Sequence, residues 1–258
     1  MKNNINKIII IFFSLFYLFN ANSAEQFNFD VTEVEIIDNG NKFIGKKRGI
    51  VTSDEGVEIE ANYFEYDKNL NILKASGSVK LSDKINNYNI YSNNIVYKKN
   101  IDIVFTNGNS KAISTEDNIN IESNIFEYDR IKNIITAKEN VIVQNKIDNY
   151  ILYSNFITYF KNENKFLTKG KTSGEINSKY KFKSADVIFL RNTNELFSDK
   201  NTSVTDDINF YNLKKFKFLI DEEQLSGEKV IINSNYKLPD NDKYYFSSGI
   251  IDFKNNSF

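Results

Sequence analysis

Ile59 to Lys80 reads IEANYFEYDKNLNILKASGSVK, and this stretch decides the fold. Ile59 and Ala61 alternate with polar neighbours, so they share one face of a strand. Phe64 and Tyr66 continue the alternation with the opposite parity. A one-residue phase slip inside an alternating run predicts a β-bulge or a bend. Asp67-Lys68-Asn69 then supplies a polar turn. Leu73, Ala75, Gly77, Val79 and Leu81 alternate cleanly in a second strand.

The pattern recurs along the chain. Shifted by 31 residues, Ile90 to Lys111 (IYSNNIVYKKNIDIVFTNGNSK) repeats Tyr66 as Tyr97, Lys68 as Lys99, Asn69 as Asn100 and Gly77 as Gly108. Shifted by 62, Phe64-Glu65-Tyr66-Asp67 returns as Phe126-Glu127-Tyr128-Asp129, and Tyr91-Ser92-Asn93 as Tyr153-Ser154-Asn155. The slip recurs at Ile90, Ser92/Ile95, Tyr97, at Ile121, Ser123/Phe126, Tyr128, and at Leu152, Ser154/Ile157, Tyr159. Second-strand copies carry Val104, Thr106, Gly108 and Ile135, Ala137, Val141, Val143, and Gly170 falls at the place of Gly77. Weaker copies surround Tyr180 and Phe216 to Gly227, and Phe27 to Gly49 is degenerate, as capping repeats are. Strands rich in Ile, Val, Phe, Tyr and Thr with turn residues between them predict an all-β, antiparallel chain with one buried and one wet face. No stretch of residues 25–258 sustains a capped helical period.

Upstream, Lys2 and Lys7 precede the apolar run Ile8 to Phe19, and Asn20 to Ala24 are small and polar. This predicts a secretory signal over residues 1–24, cut after Ser23 or Ala24, with residues 25–258 as one repeat domain. The run is too short for a spanning helix. The expected location is a bacterial envelope compartment.

Composition excludes much chemistry. The 258 residues contain no Cys and no His, which removes thiol catalysis, disulfides, Ser-His-Asp triads and the commonest metal ligands. Net charge is −1, with no basic excess for nucleic acid. No cofactor, metal or nucleic-acid partner is expected. Glu65/Asp67 and Glu127/Asp129 are paired carboxylates, which glycosidases use, but their matching places in successive repeats read as a solvated strand face. Asp38-Asn39-Gly40 and Asp54-Glu55-Gly56 read as hairpin turns. Lys46-Lys47-Arg48 reads as a solvated turn.

The unit carried by Ala61, Phe64, Tyr66, Asp67, Asn71, Leu73, Ala75, Gly77 and Val79 resembles the OstA-like module of the LptA/LptD family in lipopolysaccharide transport. The resemblance covers roughly residues 27–258. It implies a V-shaped, partly open jelly roll of stacked antiparallel strands. It also implies a non-catalytic function: lipid A acyl chains sit in the cleft while the sugars stay in water. Within the family, the repeat length and the ending YYFSSGIIDFKNNSF look most like the periplasmic N-terminal domain of the outer-membrane translocon. No series of membrane-barrel strands follows Phe258. The chain therefore reads as a truncated translocon, a separately encoded module or a long bridge protein, acting in the periplasm in association with the outer membrane.

Small and large apolar residues on one face suit either a lipid-lining wall or a self-filled core. Leu73, Ala75, Val79, Val104, Ile135, Ala137 and Val141 are the candidate lipid-groove lining, with Lys74 and Lys138 facing away. Phe29, Val31, Val34 and Ile36, in the first rung, are the candidate docking edge for head-to-tail strand addition by another OstA-like protein. A structural β-solenoid adhesin or envelope scaffold is the alternative. An open apolar cleft favours transport, a sealed core favours the scaffold, and a concave groove with two carboxylates favours a carbohydrate enzyme.

Overall fold

A computed structural model describes residues 27–255 and 257. The expected signal segment lies outside the described residues. The strands are β1 (Phe27–Ile37), β2 (Lys42–Ser53), β3 (Val57–Asp67), β4 (Ile72–Asp83), β5 (Tyr88–Lys98), β6 (Ile103–Ser114), β7 (Ile119–Asp129), β8 (Ile134–Asn145) and β9 (Tyr150–Phe160). There follow β10 (Lys165–Thr168), β11 (Lys171–Ile176), β12 (Tyr180–Ala185), β13 (Ile188–Leu190), β14 (Glu195–Thr205), β15 (Phe210–Leu219), β16 (Gln224–Ser234) and β17 (Asp242–Asp252). The described residues form one all-β, antiparallel sheet of 17 strands. From β1 to β9 each strand pairs with the next. β9 then pairs with both β10 and β11, the two halves of one broken strand, and β14 to β17 resume the meander. The predicted 31-residue unit is visible in the strand starts at 57, 88, 119 and 150.

The phase slip is a bend. Register shifts fall between Glu60 and Tyr63 in β3, Ser76 and Val79 in β4, Tyr91 and Asn94 in β5, and Asn107 and Ser110 in β6. Each long strand therefore contributes to two half-sheets. Half-sheet I contains Val57–Ala61 of β3 and Val79–Asp83 of β4. Half-sheet II contains Phe64–Asp67 of β3 and Ile72–Ser76 of β4. Left-handed residues make the corner: Gly77 (φ 80°) with Ser78, Gly108 (φ 88°) with Asn109, and Glu139 with Asn140. Such residues tighten the local bend and turn the same face inward on both sides of it.

Hairpin turns close the strands at both margins. Most end on a left-handed residue, usually Asn: Asn71, Asn87, Asn118, Asn133, Asn149, Asn164. Asn tolerates that conformation better than other side chains. Carboxylates nucleate the turns, as Asp67 does by accepting from the Leu70 N–H and Asp83 from the Ile85 and Asn86 N–H groups. Asp54-Glu55-Gly56 is a turn, as expected, with Gly56 at φ 75°. Lys46-Lys47-Arg48 is not. It forms the bend of β2, where Lys46 and Lys47 pair with Glu35 and Glu33 of β1, and Arg48 pairs with Glu60 of β3.

The apolar faces of the two half-sheets meet in one core that runs from Phe27 to Ile251. Rings cross between the halves edge to face: Phe27 on Tyr66 at 4.9 Å, Tyr88 on Tyr128 at 5.3 Å, Tyr150 on Phe189 at 4.9 Å and Tyr180 on Phe218 at 5.2 Å. Such pairs add about 0.5–1.5 kcal/mol each beyond area burial. Outer faces carry cross-strand ion pairs such as Lys74–Glu65 and Lys111–Glu122.

Candidate functional site: an apolar interior and its polar seam

Bending every strand at the same place puts the seven lining candidates on one inner surface. Leu73, Ala75, Val79, Val104, Ile135, Ala137 and Val141 are each at most 2% exposed and belong to the common core. They pack against partners of their own chain: Leu73 lies opposite Tyr66 and Tyr97, Ala75 opposite Phe64 and Ile95, and Ile135 opposite Tyr128 and Tyr159. Lys74 and Lys138 lie on the outer face, where they pair with Glu65 and Glu127. Those two glutamates are thus partners of cross-strand lysines, while Asp67 and Asp129 cap turns at Leu70 and Lys132.

The mouth between the half-sheets is bridged by side chains. Turns of half-sheet II supply cations, and turns of half-sheet I supply acceptors. Lys99 Nζ lies 2.9 Å from Asp54 Oδ1 and 2.5 Å from Glu55 Oε2. Arg130 Nε donates to Asp83 Oδ2 at 2.8 Å, and its Nη2 donates to the Glu55 carbonyl at 3.1 Å. Lys161 Nζ donates to the Asn86 carbonyl at 2.7 Å and to Glu116 at 3.1 Å. Arg191 Nη2 donates to Asp148 at 3.0 Å. Farther along, the polarity reverses: Glu223 accepts from Lys179 at 3.1 Å and from the Tyr180 hydroxyl.

Tyrosines anchor this seam to the core. Tyr66, Tyr97, Tyr128 and Tyr159 recur every 31 residues, each with a buried ring. Their hydroxyls donate to Asn71, Asp102, Asp83 and Asp117. Burial pushes the Tyr97, Tyr128 and Tyr159 hydroxyls far above the ordinary phenol range, so they stay protonated donors.

Charges in the seam hold one another ionised. Burial alone would raise the Asp83 carboxyl, but hydrogen bonds from Arg130 and Asn86 and the Arg130 charge hold it below its usual range. The hydrogen bond from Lys99 lowers Asp54, and that from Lys161 lowers Glu116. Burial works against the Lys99 ammonium, yet Glu55 and Asp54 leave its pKa raised.

At the chain's two ends, the edge strands differ from the interior ones. Among the described residues β1 pairs with β2 alone and β17 with β16 alone. Of the docking candidates, Phe29 and Val31 lean on the core, whereas Val34 and Ile36 are 47% and 59% exposed. β17 exposes Tyr245 and Ile250.

No known family profile matches the sequence, and no curated protein matches it at a significant level. Among solved structures the chain is similar to LptH from Pseudomonas aeruginosa, described as the LptA-homologous periplasmic component of the conserved lipopolysaccharide transport device. Identity is 18%, the match covers 44% of this chain and 82% of that one, and the TM-score is 0.40. At that score the likeness adds nothing to what the strands show by themselves.

Nothing local in the sequence marks the seam: Lys98-Lys99-Asn100 and Lys161 to Asn164 read as polar turns, and turns are what they form. The available signal was the spacing of Lys99, Arg130, Lys161 and Arg191, at intervals of 31, 31 and 30. A basic residue that keeps its place in four successive turns meets a row of acceptors on the facing margin.

Proposed function

We propose that this chain is a non-catalytic module of lipopolysaccharide transport in the periplasm, shielding lipid A acyl chains on the way to the outer membrane. The observation that carries the reading is the apolar interior: one core shared by two half-sheets and continuous through the stacked repeats. Strands join the half-sheets at the bend, while side chains join them at the mouth. Such a clamp can part along its length without losing its ladders. Each acyl CH₂ moved from water into it would contribute about 0.8 kcal/mol. The repeat's resemblance to the OstA-like module supports the same reading, including a role as the N-terminal domain of the outer-membrane translocon. β1 and β17 would add strands from other OstA-like proteins, head to tail, so that the interior continues across the join.

A second reading has its own observation. In this structure the protein's own side chains fill the interior, as in a structural β-solenoid scaffold. One experiment separates the two. Photo-crosslinkers at Leu73, Val104, Ile135 and Val141, in variants shown by melting to be folded, should capture lipopolysaccharide, and those at Lys74 and Lys138 should not. Equal labelling of both faces, or none on the inner face, would leave the scaffold.

A further inference from the structure

The seam has three properties that an ordinary surface ion-pair row lacks. First, no backbone–backbone hydrogen bond crosses it among the described residues. The turns stack within each margin instead: the N–H groups of Lys99, Arg130, Lys161 and Arg191 donate to the carbonyls of Asn71, Asp102, Asn133 and Asn164. This stacking fixes the four cations in a row along the mouth.

Second, burial is lopsided. The cation side chains are 6%, 2%, 10% and 13% exposed, whereas Asp54, Glu55, Glu116 and Asp148 are 41–61% exposed. The cations are built into the rim of the core, and most of the carboxylates reach in from solvent. Three paired carboxylates lie deeper: Asp83 is fully buried and Asp102 17% exposed, both on Arg130, and Asp117, 19% exposed, lies 3.9 Å from Lys161. A wetted carboxylate is the one that exchanges most readily for another anion, because water takes over its solvation.

Third, the stretch around Lys161 and Arg191 keeps donors in reserve. The hydroxyls of Tyr88 and Tyr150 and the Nε of Arg191 are buried without a hydrogen-bond partner. Both tyrosines lie in the field of Arg191, and the Lys161 ammonium sits 5.0 Å above the Tyr88 ring. Beside them an open hollow of about 430 Å³ is lined by Lys161, by amides such as Asn86 and Asn133, and by the carboxylates Glu116 and Asp117, of which Glu116 is the solvent-reaching one. With Glu116 turned out to water, two cations, uncommitted donors and amide groups suit a phosphorylated polar headgroup, since a phosphate offers several acceptor oxygens and Arg matches it bidentately.

We propose that the seam is a lateral gate for a phosphorylated lipid. Lys99, Lys161 and Arg191 exchange their solvent-reaching carboxylates for headgroup phosphates, and the acyl chains enter between the parted half-sheets. This rests on the lipid-conduit reading and assigns its entry route and headgroup contacts.

The test uses the full chain and two radiolabelled probes, phosphorylated lipid A and its dephosphorylated counterpart. The phosphorylated probe should bind at least tenfold more tightly. Lys161→Gln with Arg191→Gln should erase that difference without weakening the dephosphorylated probe. Glu116→Gln, which releases Lys161, should enlarge it. Because the chain has no Cys, Lys161→Cys with Glu116→Cys can be stapled by a reducible bismaleimide, and the staple should block uptake until it is cleaved. Equal affinity for both probes, or uptake through the stapled seam, overturns the gate and leaves the conduit reading standing. Failure to bind either probe overturns both. Full competition by millimolar inorganic phosphate against both probes assigns the cations to the free anion and overturns the lipid gate.

Discussion

Gly77 sits where β4 turns from one half-sheet to the other, at φ 80°. A strand glycine at a repeating place marks a bulge, a tight bend or a close approach, and here it makes the bend. Gly77 lies on the outer side of the bend, and an added Cβ would come within 2.9–3.0 Å of the Asn62 side chain. The main cost is the backbone, because a β-branched residue is disfavoured at positive φ. Gly77→Val should therefore destabilise by about 1–3 kcal/mol, and Gly77→Asn by less than Val, since Asn visits the left-handed region readily. Equilibrium urea unfolding of both variants checks this. Equal losses would mean that the steric contact with Asn62 sets the cost. Two repeats on, Glu139 keeps φ 65° at the same place despite a full side chain, so the bend itself demands the left-handed backbone. Asn also supplies most of the left-handed turn residues among the described residues.

At the level of the element, the strands and their bends were legible and their margins were not. A parity flip between Ala61 and Phe64 is a local signal, so the bulge could be placed from sequence alone. The partner of a turn residue is not local. Arg130 lies 47 residues from Asp83, and nothing in either neighbourhood links them. The first strand shows a similar division. Its register shifts between Val31 and Glu33, where the apolar alternation from Phe27 to Ile36 changes parity. Its four apolar candidates split, however, because Val31 packs onto Gly45 and Gly49 of β2 while Val34 and Ile36 face outward. Val34→Lys with Ile36→Lys is thus the cleaner test of docking, since charge on an edge strand opposes strand addition. The pair should abolish pull-down of an OstA-like bridge protein. Stability should change by no more than about 0.5 kcal/mol per site, as for other exposed substitutions. Unchanged pull-down, with the chain monomeric at high concentration, would remove β1 from the docking model.

For the whole molecule, the balance between core and seam sets how the structure responds to acid. The ladders depend on backbone hydrogen bonds and apolar burial, neither of which titrates. The seam depends on carboxylates whose pKa values are lowered: Asp54, Asp83, Glu116 and Glu223. A carboxylate held below its ordinary value of 3.8 for Asp or 4.5 for Glu stabilises the folded state above that value. Its contribution fades as pH falls through the folded pKa. The raised pKa of Lys99 acts at the other extreme, since its contribution is complete below 10.5 and is lost only in strong alkali. Stability should therefore be level from about pH 6 to 9 and decline below about pH 4. There the seam loses its anions first, and Lys99, Arg130, Lys161 and Arg191 are left as a row of like charges beside the core. Mutual repulsion then parts the mouth before the strands separate. Between pH 4 and 2.5 a hydrophobic dye should gain fluorescence while the far-UV signal of the strands persists. The Lys161→Gln, Arg191→Gln variant, with two fewer charges in the row, should need a lower pH for the same gain. Dye binding and strand loss that coincide at every pH would show instead that seam and ladders break as one unit.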